Sequence, residues 1–166
     1  MGYPMAGHLA RAGHDVTVFN RTTGRAEAWQ SDYGGHVAST PAAAAKDQDA
    51  VMLCVGNDDD VREVTLGERG ALSSMREGAL LVDHTTTSEA LATSLAASAN
   101  QSGVAFLDAP VSGGQIGAEN GVLTVMVGAD RSLNASRSKN RQRSETSRLR
   151  ADFLSVRDSG WAHQAT

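Results

Sequence analysis

The sequence predicts an α/β fold, a doubly wound parallel sheet with helices on both faces. Short β-branched or wholly apolar runs recur at residues 16–19, 50–55, 80–83 and 104–107. Segments with helix-start and helix-stop signals separate them, so strand and helix alternate along the chain. The run at 50–55 is continuously apolar, as expected of a strand buried on both faces.

Residues 1–12 read as a helix from its first turn, with Met5, Leu9 and Ala12 on one face and Gly13 as its stop. Val16-Thr-Val-Phe19 is the first strand. Thr22 and Thr23 offer an N-cap for a helix through about Gln30. Residues 36–38 can form a minor strand, and Thr40-Pro41 opens an alanine-rich helix, ending at Lys46, with proline at its first position. Ala50 to Val55 is the next buried strand, and Asp58-Asp-Asp60 then heads a helix, where negative charge is favoured. Leu80-Leu-Val-Asp83 is a strand, Thr87-Ser88 caps a helix to about Asn100, and Gly103 stops it. A strand at 104–107 runs into Asp108-Ala109-Pro110, where proline ends the ladder. A second apolar run, Leu123 to Val127, reads as a strand returning to the sheet.

A chain of 166 residues has room for one domain with a real core. No apolar run approaches the ~20 residues of a membrane span, and no leader precedes the first helix, so the expectation is a cytoplasmic protein without membrane partners. Cys54 is the only cysteine, which excludes an internal disulfide and a cysteine-based zinc site. It sits in a buried run and reads as core. The five histidines show no ligand spacing, so no metal is expected. The net charge of −4 hides a split: the chain is acidic to Asp130, and Arg131, Arg137, Lys139, Arg141, Arg143, Arg148, Arg150 and Arg157 crowd the remainder. That serine-rich stretch, 131–166, reads as a disordered tail. Without interleaved aromatics or a motif it does not point to nucleic acid.

Functional interest centres on Ser112-Gly113-Gly114. A hydroxyl and two glycines after a strand let a backbone pass close to something small and present its N–H groups. On that tripeptide alone, a glycine-rich connection without ligand is the plainer reading. The longer string, Asp108-Ala-Pro-Val-Ser-Gly-Gly114 with Gly117-Ala118, Gly121 and Val125-Met-Val-Gly128, closely resembles the substrate signature of the β-hydroxyacid dehydrogenase family. That family includes 3-hydroxyisobutyrate dehydrogenase, tartronate semialdehyde reductase and glyoxylate/succinic semialdehyde reductase. The related 6-phosphogluconate dehydrogenases share Val-Ser-Gly-Gly but lack Asp-Ala-Pro, and rank second.

The resemblance implies a Rossmann-like domain at 1–130 that binds a nicotinamide dinucleotide. Gly2, in Met1-Gly-Tyr-Pro-Met5, corresponds to the last glycine of the family's phosphate-binding turn, so the strand and two glycines before it are not in this sequence. The sheet is therefore expected to lack its first strand, leaving two facing edges between the Val16 and Val51 strands. A short run near Phe153 to Val156 is a poor candidate to fill them. Asn20-Arg21-Thr22 stands where such a fold reads the adenosine ribose. A guanidinium fork beside a hydroxyl suits a 2′-phosphate, so the cofactor is expected to be NADP rather than NAD. A solvated arginine beside an ordinary helix cap is the alternative from the residues alone.

The family's loop against the nicotinamide is matched at Val55-Gly56. Asp83-His84-Thr85-Thr86 resembles the family's Asp-x-Ser-Thr string, which implies Thr86 near the nicotinamide ribose. From the residues alone, Thr85 and Thr86 equally read as preparing the cap of the next helix. Ser112, Gly113 and Gly114 would hold the carboxylate of a small substrate. The family's catalytic lysine, in a Gly-x-Gly-x-x-x-Lys-x-x-Asn string, has no counterpart, since Lys46 and Lys139 lie in other contexts. Its helical C-terminal domain is likewise not matched. The expected function is thus the NADP-binding portion of an oxidoreductase acting on a short 3-hydroxy acid or its semialdehyde, from a family of homo-oligomers. The alternatives are a non-catalytic NADPH-binding or assembly module, or an imine reductase or 6-phosphogluconate dehydrogenase relative.

Overall fold

The computed structural model describes residues 1–128 and, as backbone, the strand at 154–157. Its elements follow the predicted alternation: α1 (Gly2–Arg11), β1 (Asp15–Val18), α2 (Thr23–Tyr33), β2 (His36–Val37), α3 (Pro41–Ala45), β3 (Ala50–Leu53) and α4 (Asp58–Leu66). A 3₁₀ turn at Ala71–Ser73 leads to β4 (Leu80–Asp83), α5 (Glu89–Gln101) and β5 (Ala105–Asp108). The chain continues through β6 (Val111–Ser112), α6 (Gly114–Glu119) and β7 (Thr124–Val125), and the last described strand is β8 (Leu154–Arg157).

Caps explain several boundaries. The Thr40 side chain accepts from Ala43 N–H at the start of α3, with Pro41 in the first turn, and Ser88 does the same for Leu91 N–H in α5. Thr22 precedes α2 but makes no side-chain cap bond. Instead, Asn20 Oδ1 accepts from the Thr22 N–H at 2.9 Å and fixes the turn into the helix.

The main sheet has six strands in the order β2-β1-β8-β3-β4-β5. β3, β4 and β5 are parallel and in register, with Leu81 opposite Val51 on one side and Phe106 on the other. Helices cover both faces. Leu91, Leu95 and Ala99 of α5 and Val61 and Val64 of α4 pack with Val51, Leu53, Leu81 and Phe106. On the opposite face Met5 and Ala6 of α1 and Ala26 and Trp29 of α2 pack with Val16, Val18, Met52 and Val82. Burial on alternate sides of each strand is what a two-sided parallel sheet demands.

Two expectations are corrected. The first concerns the two open edges. β8 lies between β1 and β3 and pairs antiparallel with both, setting Val156 opposite Val16 and Ala50 and Leu154 opposite Val18 and Met52. The backbone N–H and C=O groups of both edges need partners, and ladder bonds are blind to side chains, so a short extended segment suffices. Four residues of the stretch read as a disordered tail therefore belong to the sheet; its other residues lie outside the described ones. The second concerns the run from Leu123. It does not join the main sheet: Thr124 and Val125 pair antiparallel with β6 in a separate two-stranded sheet. A single bridge between Asp108 and Gly128 ties this sheet to the end of β5. Pro110 donates no N–H and ends β5, so the chain after it starts a new ladder.

Candidate functional site

A cleft of about 760 Å³ opens where α1 begins and β1 and β3 end. It falls in the size range of small-molecule sites. Its walls come mainly from three stretches of chain. The start of α1 contributes Gly2 and Tyr3, the turn from β1 to α2 contributes Asn20, Arg21 and Thr22, and the turn from β3 to α4 contributes Cys54, Val55, Gly56 and Asp60. Gly2, Asn20, Arg21, Thr22 and Val55, selected from sequence at separated positions, thus line one cavity. Helix α1 begins at its rim, and its N-cap residue Met1 makes no side-chain cap bond.

The rest of the predicted set lies elsewhere. Thr86 is exposed and does not line the cleft. Its neighbour Thr85 is buried, and its hydroxyl accepts from Val55 N–H at 3.1 Å, fixing the cleft loop from behind. Ser112, Gly113 and Gly114 are exposed on the β6–α6 turn, and only Gln115 of that segment reaches the cleft wall. The glycines there are required: φ is 131° at Gly113 and 61° at Gly114, and a Cβ on Gly113 would sit 3.0 Å from a Leu123 methyl. His8 Nε2–H is shared between the carbonyls of Ala118 and Glu119, each at 3.0 Å, which pins α6 against α1.

Several cleft residues escaped the sequence reading. Cys54, read as core, is half-buried and forms part of the wall. Asp60, read only as a helix-head charge, accepts from Arg21 Nη1 at 2.5 Å. Trp29 lines the cleft while its ring is almost wholly buried. Helical spacing assigns an aromatic to a core face but gives no hint that the same face borders a cavity.

Behind the cleft, at the ends of β4 and β5, lies a buried polar group. Asp83 Oδ1 accepts from Thr85 N–H at 2.8 Å, while Oδ2 has no partner among the described residues. Burial pushes the Asp83 carboxyl up to about 6, against the pull of Thr85. His84 is 2% exposed. Its Nδ1–H donates to Ala109 C=O at 2.7 Å, a tautomer the carbonyl dictates. Burial holds the imidazole below its usual range, so it stays neutral. Among the described residues no three of His, Cys, Asp and Glu gather as a metal site would need, and no helix is long and apolar enough to cross a membrane.

Residues 1–139 match the family model described as the NAD binding domain of 6-phosphogluconate dehydrogenase. The chain belongs to this family. A relative from Shewanella frigidimarina, named only as an uncharacterized oxidoreductase, is 60% identical over 130 residues, which are 78% of this chain and 45% of the relative. An Arabidopsis thaliana protein named "Probable 3-hydroxyisobutyrate dehydrogenase-like 1, mitochondrial" is 46% identical over 131 residues, 78% of this chain and 39% of that protein. Among solved structures, Mycobacterium tuberculosis 3-hydroxyisobutyrate dehydrogenase, determined with L-serine, superposes with a TM-score of 0.70 at 33% identity. That match covers 82% of this chain and 46% of the solved one. The chain spans less than half the length of these relatives. What it shares with them is the NAD-binding domain.

Proposed function

We propose that the chain is the NADP-binding portion of an oxidoreductase that moves a hydride between NADP(H) and a short 3-hydroxy acid or its semialdehyde. The observation that carries this reading is the convergence of Gly2, Asn20-Arg21-Thr22 and Val55 on one cleft of dinucleotide scale. The donor set fits the cofactor: uncapped N–H groups of α1 suit a pyrophosphate, and the exposed Arg21 fork suits a 2′-phosphate. When bound, the cofactor supplies or accepts the hydride. The chain's own residues position it. Asn20 sets the turn that presents Arg21 and Thr22, and Thr85 holds the Val55 loop in place.

Ser112 and the amides of Gly113 and Gly114 would take the substrate carboxylate, with His8 keeping that segment against α1. A nucleotide-binding module without chemistry is the second reading.

Arg21→Ala is the test. Hydrogen bonds to a charged group contribute about 1.5–3 kcal/mol, so NADP+ affinity should fall by at least about tenfold while NAD+ affinity holds. Equal losses for both nucleotides would overturn the NADP assignment. Reduction of short semialdehydes with NADPH by the protein at the full length of its relatives would separate enzyme from module.

A further inference from the structure

Two charged cleft residues, Arg25 and Asp60, have no task in the reading above, and Asp60 is the acidic one. It belongs to an acidic first turn, but its neighbours are engaged or turned away. Asp58 takes both the backbone N–H and the hydroxyl of Ser88, and Asp59 is exposed outside the cleft. Asp60 alone of the three lines the cavity, and it faces Arg21 across the cleft mouth at 2.5 Å.

The two partners differ in freedom. The Asp60 side chain is 15% exposed and the Arg21 side chain 66%. The carboxylate is part of the wall: the Asp60 N–H is held by Asn57 Oδ1 at 3.0 Å, and Oδ2 lies over Gly56, where a Cβ would come within 2.6 Å of it. Gly56 therefore leaves the space that the carboxylate fills. The guanidinium, by contrast, reaches to Asp60 on a long solvated stem.

We infer that Asp60 is a specificity-determining latch: its carboxylate holds Arg21 across the cleft and competes with a 2′-phosphate for that guanidinium. This rests on the assignment of Arg21 to the 2′-phosphate. A phosphate is bound best by two parallel N–H groups of the fork, and one fork nitrogen is already committed to Asp60. NADP must break or share that pair. NAD, with a hydroxyl in the same place, does not meet this demand. The latch thus lowers the preference for NADP without affecting NAD. Because the pair is partly solvated, its effect is a modest tuning.

Dissociation constants of NADP+ and NAD+ for the full chain, measured by calorimetry on wild type, Asp60→Asn, Arg21→Ala and the double variant, test this. Asp60→Asn should tighten NADP+ by about two- to fivefold and leave NAD+ unchanged. The gain should vanish in the Arg21→Ala background. A gain that persists there would mean simple charge repulsion and would overturn the latch. Weaker or unchanged NADP+ binding by Asp60→Asn would also overturn it, as would parallel loss of NAD+, which would make Asp60 a support of the cleft itself. If Arg21→Ala leaves NADP+ binding intact, the 2′-phosphate assignment falls and the latch with it. Selective loss in Arg21→Ala with no response to Asp60→Asn removes the latch alone.

Discussion

The two halves of the main sheet are held by different means. In β3-β4-β5 every strand is parallel, and its apolar side chains meet α4 and α5 on one face and α1 on the other. Around β1 the ladder is completed by β8, which arrives from far along the chain and runs the opposite way. The first half is fixed by side chains that have one place to go. The second is fixed by backbone groups that need a partner and accept one of ordinary composition. Side-chain packing sets register and face, whereas edge pairing sets only that the edge be closed.

The sharpest way to break this contrast is to strike the first half at its centre. Leu81 is fully buried between Val51 and Phe106, so Leu81→Ala should cost about 2–5 kcal/mol. That is a large part of the roughly 5–15 kcal/mol that holds a small domain. Urea unfolding would show it as a lower midpoint, and a midpoint unchanged from wild type would mean that the parallel half is not the stable core.

Next comes the buried carboxyl at the end of the same half. Asp83 titrates near 3.8 when unfolded and at about 6 when folded, so between these values the folded protein holds more protons than the unfolded chain. Its contribution to stability is complete below 3.8 and is lost as pH rises through about 6. The loss amounts to roughly 2–3 kcal/mol. Thermal melts of Asp83→Asn should lack this part of the decline between about pH 4 and pH 6. A variant that keeps the full wild-type slope would assign the titration to another group.

The closure of the other half is tested through the backbone. Ser155 lies opposite Thr17 and Val51, and proline there removes a ladder donor, at a cost of about 1–3 kcal/mol. Amide exchange in Ser155→Pro should accelerate in β1 and β3 on their facing edges and leave the β4–β5 ladder protected. Equal acceleration in all strands would merge the two halves into one cooperative unit and end the comparison.

The smallest effects separate the helices of the two halves. Ser88→Ala removes a cap bond to Leu91 N–H and the hydroxyl contact to Asp58, and should cost about 1 kcal/mol. Thr22 makes no cap bond to α2, so Thr22→Ala should stay within about 0.5 kcal/mol of wild type in thermal melts. A larger loss at Thr22 than at Ser88 would reverse this ranking.

Much of the cleft was legible because each of its stretches carries its own local signal. Gly2 begins a helix, Asn20-Arg21-Thr22 ends a strand with donors, and Val55-Gly56 ends another. In a parallel sheet strand ends lie side by side, so motifs at such ends converge. The Ser112 segment was legible as a string but not as a place. Its glycines announce an unusual backbone, yet α6 and the separate two-stranded sheet depend on Pro110 closing β5 and on His8 reaching across from α1. The tautomer of His84 and the unpartnered oxygen of Asp83 were invisible for the same reason: burial is a property of neighbours.

Local patterning along the chain was enough for the alternation of strands and helices up to β5 and for the residue types available to a nucleotide, because periodicity, capping and turn chemistry act over a few neighbouring residues. Folding in three dimensions was needed for β8 to close the sheet, for Leu123 to Val127 to leave it and for Asp60 to stand opposite Arg21. Each of these is a pairing between distant segments. Its outcome depends on which unsatisfied backbone group or charge is brought within reach when the rest of the chain has packed.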